Sequence, residues 1–196
     1  MIEPPKPLGP CLKGHFFHVR FEYVREYYGY DALAAVMQAL PRGERETLEG
    51  LDREAWYPFR SLNALDRCIA SQLAPDDPGL FERLGAMSAR YRADLLGEHA
   101  RLVNVHGFLS RLADEHELHA TFGRVRYRRL GFTEGELQMS EFPEVDEVYC
   151  RGSRGYLRAA AELLTGGPVD VVEVACQCDG RPACIYRINW PRAEGA

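Results

Sequence analysis

The sequence predicts an α+β fold, in which an N-terminal helical half is followed by a mostly antiparallel sheet with one inserted helix and a terminal hairpin. Apolar residues recur at helical spacing over the first two-thirds of the chain and alternate at period two from about residue 121. They return to helical spacing between residues 143 and 164. Helices that precede the strands, without regular alternation of the two, are typical of an α+β domain.

The helical half carries clear start and stop signals. Gly29 ends the first helix, Asp31 is expected to cap the second, and Pro41 closes it. The aromatic segment Trp56-Tyr-Pro-Phe59 precedes the third helix, and the turn Pro75-Asp-Asp-Pro-Gly79 precedes the fourth. The expected helices cover residues 16–28, 31–40, 60–73, 80–95 and 98–116.

The second half carries strand signals around one more helix. The turn Thr133-Glu-Gly135 joins the first two strands, and Gly166-Gly-Pro168 ends the inserted helix of residues 143–164. The turn Asp179-Gly-Arg-Pro182 joins the last two strands, so we expect a terminal hairpin. The expected strands cover residues 121–128, 136–140, 169–178 and 183–190.

Composition excludes several classes of partner. The 196 residues are 46% hydrophobic and 27% charged, with a formal net charge of −5, which suits one globular domain. The longest basic run is Arg126-Tyr-Arg-Arg129, and no apolar run reaches the roughly 18 residues of a membrane helix. We therefore expect neither nucleic acid nor a membrane as a partner.

The first ten residues, MIEPPKPLGP, contain four prolines and no apolar core, so they do not form a signal peptide. We predict a flexible proline-rich arm over residues 1–12, a single ligand-binding domain over residues 13–191 and a tail over residues 192–196. Without an export signal a cytoplasmic location is expected, where thiols stay reduced.

The six cysteines are unevenly distributed. Cys11 and Cys68 have no near neighbour in sequence and are expected to be small buried hydrophobic residues. The other four fall in the last 47 residues, at positions 150, 176, 178 and 184. A disulfide, a metal site, a reactive centre and plain packing are all open readings, although a reducing compartment argues against the disulfide. Zinc suits a reduced thiolate cluster that a hairpin and a helix bring together.

Two residues compete to be a fourth metal ligand. Cys178 shares strand parity with Cys176, so both would face one side of a regular strand. Glu173 has the opposite parity, so it faces the same side of the strand as Cys176 only if a β-bulge lies between them. Taken alone, parity favours Cys178.

A longer pattern surrounds these cysteines. It runs through Cys150, Gly155-Tyr-Leu157, Leu164-Thr-Gly166, Glu173-Val-Ala-Cys176 and Gly180-Arg-Pro-Ala-Cys184 to the final strand. This pattern resembles the 4-vinyl reductase domain, which occurs in tetrapyrrole-pathway proteins and in phenol-responsive transcription activators. In those sensors three cysteines and one glutamate hold zinc. The resemblance therefore implies a zinc cofactor, with the ligands Cys150, Glu173, Cys176 and Cys184.

The implied zinc has a structural role, since four protein ligands leave no open coordination position. It would hold the terminal hairpin to the inserted helix and contribute to folding. The chain contains no Gly-x-Ser-x-Gly, phosphate-loop or Gly-x-Gly-x-x-Gly motif, so we expect no enzymatic activity. The ending at Asn189-Trp190 and the Trp56-Tyr-Pro-Phe59 segment resemble a group of uncharacterised myxobacterial proteins that carry the same domain alone.

A second set of residues lies mainly in the N-terminal half. Lys13-Gly14 before an amphipathic helix, Tyr28-Gly29 and the segment of residues 108–119 resemble, more distantly, the haem-nitric-oxide binding domains. This likeness implies that His119 stands at the position of the proximal histidine. The Tyr-x-Ser-x-Arg haem clamp of that family is matched only by Tyr149-Cys-Arg-Gly-Ser-Arg154, which is one residue too long.

The resemblance to domains of this shape implies a pocket for a small, largely apolar ligand between the helices and the sheet. His106 and His119 are the polar candidates to orient a ligand. The phenol sensors place aromatic residues shortly before the first zinc cysteine, where this chain has an arginine-rich strand, so phenol specificity is not expected. The candidate lining residues are Phe17, Trp56, Tyr91, His106, Phe108, His119, Phe122 and Tyr149.

The sequence thus predicts a non-enzymatic sensor or regulatory module that binds a hydrophobic or amphipathic molecule. Because no output domain is present in the sequence, it would signal through a homodimer or an unidentified output protein. A tetrapyrrole-pathway accessory protein or haem binder and a ligand-free scaffold domain are the alternatives.

Overall fold

In the computed structural model, which describes residues 7–96 and 104–192, the chain divides into two units. The first comprises the residues up to Pro78 together with Glu117–Phe122. The second comprises Gly79–His116 and the residues from Gly123 onward. The prediction of one ligand-binding domain over residues 13–191 stays a prediction.

The first unit combines helices with a short two-stranded ribbon. Strands β1 and β2 pair antiparallel, with Leu12 opposite Tyr57. The core lies between α1, α2 and α4, where Phe17, Val24 and Leu65 are completely buried. The elements are β1 (Cys11–Lys13), α1 (His15–Tyr28), α2 (Tyr30–Ala39), α3 (Arg42–Leu48), β2 (Trp56–Pro58) and α4 (Phe59–Leu73).

Strand β1 corrects the predicted boundary of the proline-rich arm. Cys11 and Leu12 belong to this strand, and the Cys11 N–H donates a hydrogen bond to the Thr121 hydroxyl at 2.9 Å. Leu12 is only 1% exposed, so burial fixes it in the unit. Three residues are too few to show an alternating pattern, which is why the sequence did not reveal the strand. Residues 1–6 of the predicted arm lie outside the described residues.

Two further elements of the first unit differ from the prediction. Helix α2 begins at Tyr30, so Asp31 is not its cap. Asp31 lies in the first turn, where its negative charge interacts favourably with the helix dipole. Helix α3 was not predicted. Only Leu48 of this helix is buried, so it has no apolar stripe to reveal it.

The second unit contains a four-stranded sheet and the helices that cover one of its faces. The strands pair antiparallel throughout, in the order β3-β4-β6-β5. This arrangement confirms the predicted α+β class with one helix inserted between two pairs of strands. The elements are α5 (Leu80–Leu96), α6 (Val105–Asp114), β3 (Arg124–Arg129), β4 (Glu134–Ser140), α8 (Glu147–Thr165), β5 (Asp170–Ala175) and β6 (Ala183–Asn189). The single turn α7 (His116–His119) follows α6, and its residues from Glu117 onward belong to the first unit.

Local sequence explains the bounds of α6 and α8. The Asn104 side chain accepts a hydrogen bond from the Gly107 N–H, and the Asp146 side chain accepts one from the Val148 N–H, so each caps the start of its helix. Gly166 ends α8 in the left-handed conformation, with φ of 68°. The predicted helix of residues 98–116 is described only from residue 104, and none of the described helices is long and apolar enough to cross a membrane.

Helices α5 and α8 cross at glycines. A side chain at Gly85 would overlap the carbonyl oxygen of Gly152, and one at Gly155 would overlap the carbonyl oxygen of Glu82. The Glu82 carboxylate also accepts hydrogen bonds from Arg154 and, at 2.6 Å, from Arg158. Backbone packing and this ion-paired cluster therefore fix the position of α8 against α5.

We predict that Gly155→Ala lowers the free energy of unfolding by about 3 kcal/mol or more, because its methyl group meets rigid backbone. Urea denaturation measures the change. Gly43→Ala is the matched control, since nothing lies within 4 Å of the added atom in α3. Its effect should stay within about 1 kcal/mol of zero. Equal effects of the two substitutions would contradict the close crossing.

Candidate metal centre

A β-bulge in β5 decides which residues face the cysteine cluster. Glu173 pairs with Tyr186 and Ala175 pairs with Ile185, so two residues of β5 advance against one residue of β6. The extra residue reverses the parity after Glu173. Glu173 and Cys176 therefore lie on the same side of the hairpin. This is the condition under which Glu173 can join Cys176 as a metal ligand.

Four side chains of the hairpin and of α8 converge at one point. The ligand atoms of Cys150, Glu173, Cys176 and Cys184 all lie within 4.8 Å of one another. The Cys150 sulfur is 3.6 Å from that of Cys176 and 3.7 Å from that of Cys184, and the last two sulfurs are 3.8 Å apart. The structure thus brings together the four residues that the sequence predicted.

These distances suit a tetrahedral ion and not a disulfide. Bonds of about 2.3 Å from zinc to sulfur place two sulfurs of a tetrahedron about 3.8 Å apart. A disulfide would bring them to about 2.05 Å. All the cysteines of the chain are free thiols. The spacing of the three sulfurs therefore fits the edges of a zinc–thiolate tetrahedron.

Glu173 completes the donor set. Its Oε1 atom is buried and has no hydrogen-bond partner among the residues that the structure describes, which is costly for a carboxylate unless a cation lies beside it. Three sulfurs and one carboxylate oxygen form a set that zinc accepts. Cys178, which parity had favoured, is exposed and lies outside the cluster.

The three thiols of the cluster differ in their pKa values. Hydrogen bonding from the Cys150 thiol, together with the Gln177 N–H, lowers the pKa of Cys184 to about 7. The pKa of Cys150 is raised, first by its hydrogen bond to Cys184 and then by burial, and burial raises the pKa of Cys176 to about 12. Cys184 therefore carries the first negative charge of the cluster, and a bound cation would displace protons from the other two thiols.

Backbone and side-chain hydrogen bonds orient the sulfurs. The Gln177 N–H donates to the Cys184 sulfur at 3.3 Å, from the 3₁₀ turn Gln177–Asp179 that follows β5. The Tyr186 hydroxyl donates to the Cys150 carbonyl oxygen at 3.2 Å. Tyr186 is completely buried, so β6 supports α8 directly below the cluster. Sequence reasoning missed Tyr186, because only the fold brings its hydroxyl to α8.

The two remaining cysteines lie in the first unit. Cys11 is buried, as expected. Cys68 is half-buried, and its thiol donates to the Val36 carbonyl oxygen at 3.4 Å.

Four of the predicted pocket residues lie in the first unit. Phe17 packs against Tyr57, with ring centroids 5.5 Å apart, and Phe122 packs against Phe59 at 4.6 Å. The Lys13 ammonium lies over the ring of Trp56, and the His119 ring meets the His15 ring edge-on. The membership of these four side chains in a ligand pocket stays a prediction.

The other four pocket residues lie in the second unit. Phe108 of α6 packs against Tyr156 of α8, Tyr149 packs against Phe142, and Tyr91 is half-buried in α5. His106 is in contact through both of its ring nitrogens. Its two ring nitrogens contact the Tyr127 hydroxyl and the Phe132 carbonyl oxygen.

The contacts of His106 determine the role of one ring nitrogen. A carbonyl oxygen only accepts, so Nε2 donates its hydrogen to Phe132, whereas Nδ1 contacts a hydroxyl group that can donate or accept. The Trp190 ring lies edge-on, with ring centroids 4.7 Å apart. Tyr127 and Trp190 were not among the predicted site residues, because their approach to His106 depends on sheet register.

A haem clamp does not fit the residues that most resemble one. Cys150 belongs to the sulfur cluster, Arg154 binds the Glu82 carboxylate, and Tyr149 packs on Phe142. The segment lies within α8, and in the sequence it is one residue longer than the family clamp. The cysteine and the arginine of this segment therefore have other partners in the structure.

Comparison with known proteins identifies the fold but not a family. No family model matches the chain, and no curated protein matches its sequence. The H-NOX protein from S. oneidensis in the Fe(II)NO ligation state superposes with a TM-score of 0.73 at 14% identity, over 92% of this chain and 100% of that one. The fold is that of H-NOX domains.

Two further structures extend this likeness. The unliganded Fe(II) H-NOX protein from K. algicida has a TM-score of 0.73 at 10% identity, over 94% of this chain and 100% of that one. A mutant of T. Tengcongensis H-NOX has a TM-score of 0.71 at 14% identity, over 93% of this chain and 100% of that one. The more distant of the two predicted resemblances is thereby supported, whereas the 4-vinyl reductase likeness rests on the sequence pattern alone.

We predict that Tyr186→Phe lowers the free energy of unfolding by about 1 kcal/mol, because the Cys150 carbonyl oxygen loses a buried hydrogen bond. Chemical denaturation of the metal-free protein measures this loss. Tyr30→Phe is the control, since Tyr30 is 76% exposed. No difference between the two variants would show that the Tyr186 hydroxyl does not support α8.

Proposed function

We propose that the protein is a non-enzymatic sensor or regulatory module of the H-NOX fold with a structural zinc ion. The observation that carries this proposal is the convergence of Cys150, Glu173, Cys176 and Cys184 within 4.8 Å. Bound zinc would supply a fixed positive charge that neutralises the thiolates and cross-links the hairpin to α8. Four protein ligands would close its coordination sphere, which argues for a structural role.

The sensed molecule is proposed to be small and hydrophobic or amphipathic. In the second unit, Phe108 and Tyr156 offer apolar contact surface, and His106 with Tyr127 offers a polar pair. A few convergent polar groups within an apolar lining are typical of small-molecule sites. The signal is proposed to pass through a homodimer or a partner protein.

Haem binding is the second candidate function, and the fold favours it. The superposed H-NOX structures include iron-ligated forms and proteins studied for heme distortion. His119 is half-buried and would be the predicted axial ligand. The residues of α8 do not supply the expected clamp, however, so any haem would be held by other side chains of this chain.

We predict one zinc per chain in the purified wild-type protein, and far less than one in Cys150→Ser and Cys184→Ser. Elemental analysis by mass spectrometry measures the content, and circular dichroism reports whether each variant folds. Cys178→Ser and Cys68→Ser are the matched controls and should keep full zinc, because both thiols lie outside the cluster. Loss of zinc in Cys178→Ser would make that residue a ligand, and substoichiometric zinc in every protein would refute the proposed centre.

Incubation with haemin separates the two candidate functions. Haem binding through His119 predicts a Soret band in the wild type that is lost or shifted in His119→Ala and kept in His116→Ala. If no Soret band forms, haem binding is refuted. A small aromatic or amphipathic ligand would instead raise the melting temperature in a thermal-shift panel, whereas a panel without any shift would favour a ligand-free scaffold.

A further inference from the structure

The four residues of the candidate metal centre are unequally buried. Cys150, Cys176 and Cys184 are 2%, 8% and 3% exposed, whereas Glu173 is only half-buried. Glu173 also lies on the bulge of β5, a strand that is hydrogen-bonded to a neighbour on one side only. Glu173 is therefore the least buried and structurally least restrained of the four residues, although its Oε1 atom is itself buried.

A cavity of about 370 Å³ lies beside Glu173. Glu173 and Cys176 line it, together with Asp179, Gly180 and Arg181 of the hairpin turn. Two of the four candidate ligands thus face a space that can hold a small molecule. Cys150 and Cys184 do not line this cavity.

Backbone hydrogen bonds support two of the thiols. The Gln177 N–H donates to the Cys184 sulfur, and the Cys178 N–H hydrogen-bonds to the Cys176 sulfur. The Glu173 carboxylate is hydrogen-bonded by the Cys176 thiol, whose proton a metal would displace, and its Oε1 atom has no partner among the described residues. Thiolates are also softer ligands that zinc retains well, so the carboxylate is the donor that exchanges most readily.

Side chains of opposite charge line the cavity. Arg181 is exposed, and no carboxylate of the described residues lies within ion-pair distance of its guanidinium. Asp179 is exposed and carries the opposite charge on the same cavity wall. An arriving anion is therefore attracted by Arg181 and repelled by Asp179.

We propose that this cavity is the entrance through which the bound metal is exchanged with small anionic chelating molecules, which carry carboxylate groups. The proposal rests on the proposed zinc centre. The incoming carboxylate approaches beside Arg181 and takes the coordination position of Glu173, which swings back toward solvent. The metal leaves as a divalent cation with the chelator, no electrons are transferred, and the three cysteines take up protons from water as they are released.

Cobalt(II)-loaded full-length protein tests the entrance, because thiolate-bound cobalt absorbs visible light and its loss can be followed in a stopped-flow instrument. EDTA is the anionic chelator, and 1,10-phenanthroline is the neutral one. We expect the EDTA rate to rise with EDTA concentration, to fall about three- to tenfold in Arg181→Glu at low ionic strength, and to rise in Asp179→Asn. These differences should disappear at 1 M salt, where the screening length is about 3 Å.

Arg126→Glu is the matched control, since it reverses the charge of an exposed arginine on β3 of the same unit. It should leave the EDTA rate unchanged, and phenanthroline rates should be alike in all four proteins. The proposed entrance would be contradicted if the rate of cobalt removal by EDTA did not depend on EDTA concentration. It would also be contradicted if this rate were equal in Arg181→Glu and wild type. Failure of the wild-type protein to take up cobalt or zinc would instead overturn the proposed metal centre.

Discussion

One extra residue in β5 determines the chemistry of the C-terminal hairpin. A regular strand would turn Glu173 and Cys176 to opposite faces, because side chains alternate along it. The bulge between Glu173 and Ala175 corrects this parity, so the carboxylate meets the sulfurs of Cys176 and Cys184. The bulge also bends the strand and leaves its backbone less regularly paired at the ligand. The same feature therefore brings the carboxylate into the cluster and places it on an irregular part of the strand.

The fourth member of the cluster depends on a different kind of packing. Cys150 lies in the first turn of α8, which Asp146 caps. Close contact of Gly85 and Gly155 with the facing backbone fixes the crossing of α8 and α5, and the Tyr186 hydroxyl holds the Cys150 carbonyl oxygen from below. A metal at this place would thus connect three separately positioned elements, the helix and both strands of the hairpin. Such a connection is worth most where the elements are distant in sequence, since it closes long loops.

The H-NOX fold does not by itself assign a cofactor to this chain. Superposition over more than nine-tenths of the chain establishes a common backbone arrangement. At 10–14% identity, however, the side chains are almost entirely different. In α8 the positions that most resemble a haem clamp are occupied by a cluster thiol and by an arginine that binds Glu82. One backbone can serve several functions because function depends on the side chains at particular sites.

Periodicity alone predicted the order and class of most elements, because long apolar stripes and turn residues are local signals. It missed α3 and the β1–β2 ribbon, which are too short or too polar to carry such signals. For the site, strand parity pointed to Cys178, and the choice of Glu173 came from a resemblance in the sequence pattern. A bulge is not visible in a single sequence, because it arises from how β5 pairs with β6. The sequence by itself determined which residue types were present and how far apart they stood, whereas tertiary pairing decided which of them meet, because register sets the direction of each side chain.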